Sequence, residues 1–290
     1  MLVPRVDAKG ALDGLLDLVF PRRCVVCRSA GSWLCEACAA DLHPLPDDRC
    51  RRCGSPLRRA GRPARAARAE AQGGGMPVCR ECAGRGLAFT AASAAFCYDG
   101  PARALVTACK FRALRSLTDD MAGRAAPAFA AAAARAGATA VAGADGPAAR
   151  AHEDVVVTSV PAHRVHKLDR GFDLAESFAR RLAGDAGLAY APLLRRVRHG
   201  ARQSGLDRAS RAANVHGAFA LQENGFGVDK RLKRVIIVDD VYTTGETLNQ
   251  CAEALAHANL DPHAFTFART VRAAHAHASR DHAVPKERCR

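Results

Sequence analysis

Apolar and polar positions fall along this chain in blocks that predict its elements. Val235 to Val238 is a β-branched apolar run that suits a strand buried on both faces, and it ends abruptly in Asp239 and Asp240. Val241 and Tyr242 lead to a turn of small residues, after which Leu248, Cys251, Leu255 and Ala256 recur at helical spacing. Upstream, Ala94 to Tyr98 reads as a strand, Asp99-Gly100-Pro101 as a turn and Ala102 to Phe111 as a helix. Ala122 to Ala133 is an alanine-dominated helix. Asp154 to Pro161 is a strand with a helix, Leu174 to Leu182, behind it, and Asp261 to Arg269 is the final strand. Ala134 to Glu153 is low in complexity and reads as a loose loop. Leu12 to Phe20 has a helical period, but Asp13 and Asp17 interrupt a run already too short for a signal segment or a membrane span. It predicts a small amphipathic helix packed on the next module, with no membrane insertion and a cytoplasmic protein.

Composition adds a partner class. The 290 residues hold one large domain or two smaller ones, and 49% hydrophobic content can fill a core although aromatics are only 5%. Lys and Arg number 43 against 29 Asp and Glu, a net charge of +14. Such a surplus predicts polyanionic partners: pyrophosphates, nucleic acid or both.

The cysteines add a metal. Eight of the twelve form four C-x-x-C pairs: Cys24/Cys27, Cys35/Cys38, Cys50/Cys53 and Cys79/Cys82. A C-x-x-C turn points two thiolates at one centre, so two pairs supply the tetrahedral sulfur set that Zn²⁺ prefers, and four pairs imply two structural zinc ions. A reducing compartment disfavours the alternatives, a disulfide framework or iron–sulfur ligation. Sequential pairing, 24/27 with 35/38 and 50/53 with 79/82, closes the shorter loops, and interleaved pairing remains open. Cys53-Gly54 resembles a zinc-knuckle turn, in which glycine tolerates a positive φ. Trp33 and Leu34 are expected to pack on the first knuckle. The second site is interrupted at 57–77 by a Gly-, Ala- and Arg-rich insertion carrying Arg58, Arg59, Arg62, Arg65 and Arg68, expected as a solvated disordered loop or a nucleic-acid contact.

The strand–acid–turn–helix unit at 234–248 carries the candidate chemistry. Thr243, Thr244, Gly245, Glu246 and Thr247 form a turn small enough for a phosphate to approach the backbone. The free N–H groups and positive dipole end of the following helix favour an anion there. Asp239 and Asp240 lie where open α/β sheets hold their ligands. The plainer reading is a buried strand and an N-capped helix with solvated acids. No GxxxxGK[ST] is present, so the unit is not a P-loop. It resembles the phosphoribosyl-pyrophosphate (PRPP) motif of type I phosphoribosyltransferases: an apolar strand, two acids, two further residues, then T-T/S-G-x-T. That resemblance implies ribose contacts through Asp239 and Asp240, the catalytic pair, and a 5′-phosphate held by Thr243 to Thr247.

Three further stretches resemble ComF-type competence proteins, in which a cysteine-rich double zinc ribbon precedes a phosphoribosyltransferase domain. The first is F-C-Y-D-G-P-x-R-x-L with Lys110-Phe111-Arg112, where Lys110 reads equally as a snorkelling surface lysine. In the second, Val160, Pro161, Arg170, Gly171 and Phe172 are in register with the family. With His163, Arg164 and Lys167 they form a basic turn that implies a pyrophosphate loop. His166 replaces an arginine there, and Asp173-Leu174 replaces an Asn-Gln pair whose contacts are then expected to be lost. The third, Leu193 to Phe219, aligns Gln203, Gly205, Leu206, Arg211, Asn214, Val215, Gly217 and Phe219. It implies a flexible loop that closes over the pyrophosphate, with covering charge from Arg202, Arg208 and Arg211 and a substrate contact from Gln203. A mobile basic loop without a catalytic part is the alternative.

The resemblance implies an α/β fold: a Rossmann-like parallel sheet at 91–272, a double zinc ribbon at 21–90, a helix within 1–20 and a polar tail at 273–290. In that tail His275, His277 and His282 are expected to be solvated, with a metal site as the alternative, and Cys289 is expected as an unpaired terminal thiol. The implied activity is transfer of the phosphoribosyl group of PRPP, with Mg²⁺, to an acceptor the sequence does not name. The implied setting is natural competence, with single-stranded DNA or competence-machinery proteins as further partners. A non-catalytic PRPP or nucleotide sensor, or a DNA-handling protein with a zinc docking module, is the rival reading.

Overall fold

A computed structural model describes residues 22–57, 78–112, 116–138, 154–163, 171–197, 217–222 and 232–271. The expected amino-terminal helix, the insertion beyond Leu57 and the histidine tail lie outside the described residues.

Five parallel strands form one sheet in the order β1 (Ala91–Cys97), β7 (Asp261–Arg269), β6 (Arg234–Tyr242), β2 (Val155–Ser159) and β3 (Ala189–Tyr190). The β-branched run at the centre of β6 is there because both of its faces are covered. Ile236 and Val238 belong to one apolar cluster with Val155, Val157, Phe265 and Phe267. Val235 and Ile237 belong to the other with Val156 and Ala264. Three helices supply the first cover: α3 (Gly100–Arg112), α4 (Ser116–Arg135) and α5 (Leu174–Asp185). Edge-on aromatic contacts join them to β7, Phe129 to Phe265 at 5.1 Å and Phe178 to Phe267 at 6.0 Å between centroids. The opposite face carries α6 (Glu246–Ala256) and a small antiparallel pair, β4 (Leu194–Arg196) with β5 (Phe219–Leu221).

Several boundaries differ from the expected ones for local reasons. Residues 99–101 are not a free turn: α3 begins at Gly100, with Pro101 in the first helical turn, where its missing N–H costs nothing. Strand β6 does not stop before the acids but runs through Asp239 and Asp240 to Tyr242, because β7 keeps pairing with it after the pairing with β2 has ended at Val238. On α6 the buried face holds Leu248, Asn249, Gln250, Cys251, Ala252 and Leu255, while Ala256 is exposed. Strands β3, β4 and β5, two or three residues long, are too short to show a period.

The cysteine-rich module repeats one unit twice. Arg28 and Gly54 both take φ of 70° one residue after a C-x-x-C, and Cys24 N–H to Ser29 O mirrors Cys50 N–H to Ser55 O, both at 2.8 Å. In each unit the other C-x-x-C straddles the start of a one-turn helix, α1 (Glu36–Ala39) or α2 (Arg80–Ala83). The module lies along the open edge of β1. Leu45 N–H donates to Ala95 O, Cys97 N–H to His43 O and Ala92 N–H to Arg52 O. It thereby occupies the strand's unpaired side, where another chain would otherwise add. Its first unit packs into one cluster through Cys24, Leu34 and Cys38, with Trp33 against it. Its second unit packs into the opposite cluster through Cys50, Cys53, Leu57 and Cys82.

Candidate functional site

Strand order reverses between the parallel neighbours β2 and β6. From β2 the chain leaves through α5 to β3 on one side, and from β6 through α6 to β7 on the other. The carboxyl ends of two neighbouring strands therefore open a crevice, the usual place for a ligand in an open α/β sheet. Val160 N–H donates to Val238 O at 3.0 Å and holds that rim together.

Asp239 and Asp240 stand at the β6 side of the crevice. Asp240 N–H donates to Asp239 Oδ1 at 2.8 Å, and Asp240 Oδ2 pairs with Lys110 Nζ at 2.5 Å. Lys110 reaches this place from α3, so it is not a snorkelling surface lysine. Burial, and then the charge of Asp240, push the Asp239 carboxyl up to about 8, against the Asp240 N–H and Lys110, which act the other way. The two neighbouring acids thus stand in different surroundings, Asp239 taking a backbone N–H and Asp240 pairing with Lys110.

On the β2 side, Asp173 caps α5: its Oδ1 accepts from Glu176 N–H at 3.2 Å, while Oδ2 accepts from Ala162 N–H at 3.1 Å. The aspartate that replaces an amide in the ComF pattern therefore ties the loop after β2 to the helix behind it, so polar contacts are made at this position. His163 is half-buried at the start of that loop and Gly171 has φ of 71° at its end. Arg164, Lys167 and Arg170 lie outside the described residues, as do Arg202, Gln203, Arg208 and Arg211. Strands β4 and β5 bracket the latter group.

The turn from Thr243 to Thr247 presents exposed threonines around a buried glycine. Gly245 has φ of 78° and is the residue before α6, and its carbonyl accepts the first helical N–H, from Asn249 at 2.9 Å. A Cβ at this position would sit 2.2 Å from the Tyr242 hydroxyl, so glycine is required by space as well as by φ. Thr244 Oγ1 accepts from Glu246 N–H at 3.4 Å, and Glu246 Oε1 accepts from Gln250 at 3.0 Å. Cys251, inside α6, is pushed up by burial and behaves as a core residue.

Sequence reasoning left Lys110 undecided and missed Asp173, Tyr242, Arg85 and Arg269. A capping pattern, Asp173 followed three residues later by Glu176, could have found Asp173. Nothing local marks the other three, which act through contacts between distant segments.

The eight paired cysteines meet as two groups of four, Cys24, Cys27, Cys35 and Cys38, and Cys50, Cys53, Cys79 and Cys82, each with its sulfurs within 4.8 Å of one another. Sulfur–sulfur distances of 3.6 Å (Cys27 to Cys35) and 3.7 Å (Cys53 to Cys79) fit a tetrahedron around an ion bonded at about 2.3 Å to each sulfur. The pairing is sequential. Residues 15–83 match the family described as "Double zinc ribbon domain".

The amino-terminal module is a double zinc ribbon. The chain is also similar to "Competence protein F" of Haemophilus influenzae, 31% identical over 102 residues. That match covers 34% of this chain and 43% of the relative, so the chain spans less than half the length of that protein. The ribbon also reaches the candidate site. Arg85, just past Cys82, donates to the Thr244 carbonyl at 3.2 Å and faces Glu246 at 3.6 Å, and Ala88 N–H donates to Asn249 Oδ1 at 2.8 Å. No helix among the described residues is long and apolar enough to cross a membrane.

Proposed function

We propose that this chain binds PRPP and transfers its phosphoribosyl group, displacing pyrophosphate at C1. The supporting observation is the placement of Asp239 and Asp240 at a strand-order switch point, directly ahead of a turn with a left-handed glycine at a helix N-terminus. The exposed N–H groups at the start of α6 and the hydroxyls of Thr243, Thr244 and Thr247 would hold the 5′-phosphate. The acids would accept hydrogen bonds from the ribose hydroxyls, and their charge would favour the oxocarbenium-like state as pyrophosphate departs. Lys110 would leave Asp240 for the ligand, and the turn from His163 through Arg164, Lys167 and Arg170 to Gly171 would meet the pyrophosphate. Mg²⁺, when bound, takes one or two carboxylate oxygens together with substrate phosphates and neutralises the leaving group; the paired acids are donors of that kind. Similarity to competence protein F supports a role in natural competence, with single-stranded DNA or competence proteins as partners.

The deciding experiment is exchange of labelled pyrophosphate into PRPP with Mg²⁺ and candidate acceptors, alongside calorimetry of PRPP binding. Binding with exchange is expected. No binding at all overturns the reading, and binding without turnover for any acceptor makes the protein a PRPP sensor.

A further inference from the structure

The second cysteine centre and the phosphate turn share buried side chains. Arg269 ends β7 opposite Tyr242 in the β6–β7 register and is only 6% exposed. Its guanidinium donates to the Cys53 carbonyl at 2.5 Å and to the Cys53 sulfur at 3.5 Å. The same group lies 4.0 Å from the centre of the Tyr242 ring. Tyr242 in turn bears on the turn itself, its hydroxyl filling the space beside Gly245. Thr270, next after Arg269, closes the arrangement: its N–H donates to Tyr242 O at 2.9 Å and its hydroxyl to Thr243 O at 3.2 Å.

A buried guanidinium needs a counter-charge. Among the described residues no carboxylate is paired with Arg269; the neighbour that metal binding would make anionic is the Cys53 sulfur. Four thiolates around one dication carry a net double negative charge, so a loaded second centre supplies the missing anion. Without the metal nothing fixes the Cys50–Cys53 turn, so the carbonyl and sulfur that hold the Arg269 guanidinium lose their fixed position. A second route runs in parallel, from α2 through Arg85 to Thr244 and Glu246 and from Ala88 to Asn249. The first centre has a different neighbourhood: it belongs to the opposite face, where Arg124 of α4 donates to Leu34 O at 2.8 Å. The two metal positions are therefore not equivalent.

We propose that Arg269 is a positioning residue that makes the geometry of the phosphate turn depend on metal at Cys50, Cys53, Cys79 and Cys82, and not on metal at the first centre. The proposal rests on the PRPP reading of that turn. Coupling between two sites is reciprocal, so PRPP must tighten the second metal if that metal tightens PRPP.

The test follows zinc release from the full-length protein to a chromogenic chelator, with and without PRPP in excess Mg²⁺, beside calorimetry of PRPP binding. In wild type PRPP should slow release of one of two zinc ions by about tenfold and leave the other unchanged. Arg269→Met should remove most of that protection, leaving what the Arg85 route carries, and weaken PRPP binding by about tenfold, while still carrying two zinc ions. Arg269→Lys, which keeps the charge but loses the planar fork, should restore only part of both. PRPP binding with neither release phase slowed, or both slowed alike, overturns the coupling while leaving the PRPP reading standing. Full protection retained in Arg269→Met removes the role of that residue. Absence of PRPP binding by wild type overturns the phosphoribosyl reading and this coupling with it. If Arg269→Met fails to fold, the wild-type release comparison still decides the coupling, and Arg269→Lys with protection undiminished removes the role of that residue.

Discussion

At the scale of single residues, Asp239 and Asp240 differ in their surroundings: burial and the charge of Asp240 push the first carboxyl up, and the second pairs with Lys110. Asp240→Asn preserves shape but removes the carboxylate that the proposed mechanism directs at a developing cation. It should lower PRPP turnover on the order of 100-fold while PRPP affinity changes little, as single-turnover kinetics and calorimetry would show. The pH dependence follows from Asp239. Its folded-state value lies above that of an unfolded aspartate, so its contribution to stability is full below the unfolded value, about 4, and is lost as pH rises through about 8. Thermal melts should therefore show stability falling over that window. Asp240→Asn should flatten the fall, because it removes the second cause of the shift. The turn needs a gentler probe than a large residue at Gly245, since any Cβ there meets Tyr242 and would damage the fold together with the site. Thr247, by contrast, is exposed. Thr247→Val should change stability by no more than about 0.5 kcal/mol yet weaken PRPP binding by roughly tenfold, if its hydroxyl meets the 5′-phosphate.

At the scale of elements, the ribbon is part of the sheet's architecture. It covers the edge of β1 and lends a knuckle to each apolar cluster. Cys50→Ser should reduce zinc from two ions to one per chain by elemental analysis, since a structural zinc supplies folding energy where it binds. It should also lower the melting temperature of the whole protein and promote association, because losing the second knuckle uncovers β1. A sheet that melts as in wild type would show the ribbon to be an independent appendage. The α6 N-terminus is likewise built from two sources: its strand and turn come from β6, and its outer contacts come from Arg85 and Ala88.

At the scale of the whole molecule, β2 and β6 meet at the switch point, and each is followed by a segment read as contacting phosphate. Residues 198–216, read as a covering loop, join the two strands of the small β4–β5 pair. If they cover the ligand, tryptic cleavage after Arg202 and Arg208 should fall severalfold when PRPP and Mg²⁺ are present. Equal cleavage with and without ligand would mean that nothing closes there.

The sequence by itself determined the features whose information is local. The β-branched run of β6, the span of β7 from Asp261 to Arg269, the four C-x-x-C pairs and the small-residue turn at 243–247 are each written in adjacent residues, where periodicity and ligand spacing act directly. Their limits were not local. Strand β6 extends through its acids because β7 continues to pair with it beyond the end of β2, and α3 starts early because Pro101 can occupy a first turn. Only the tertiary structure brought Lys110 from α3 to Asp240, and joined Cys53, Arg269, Tyr242 and Gly245 from three separate segments. The same holds for the two zinc knuckles, placed on opposite faces of one sheet. Such contacts depend on strand order and on which face each helix covers, and those are set by burying the whole apolar surface at once, so no short window of sequence contains them.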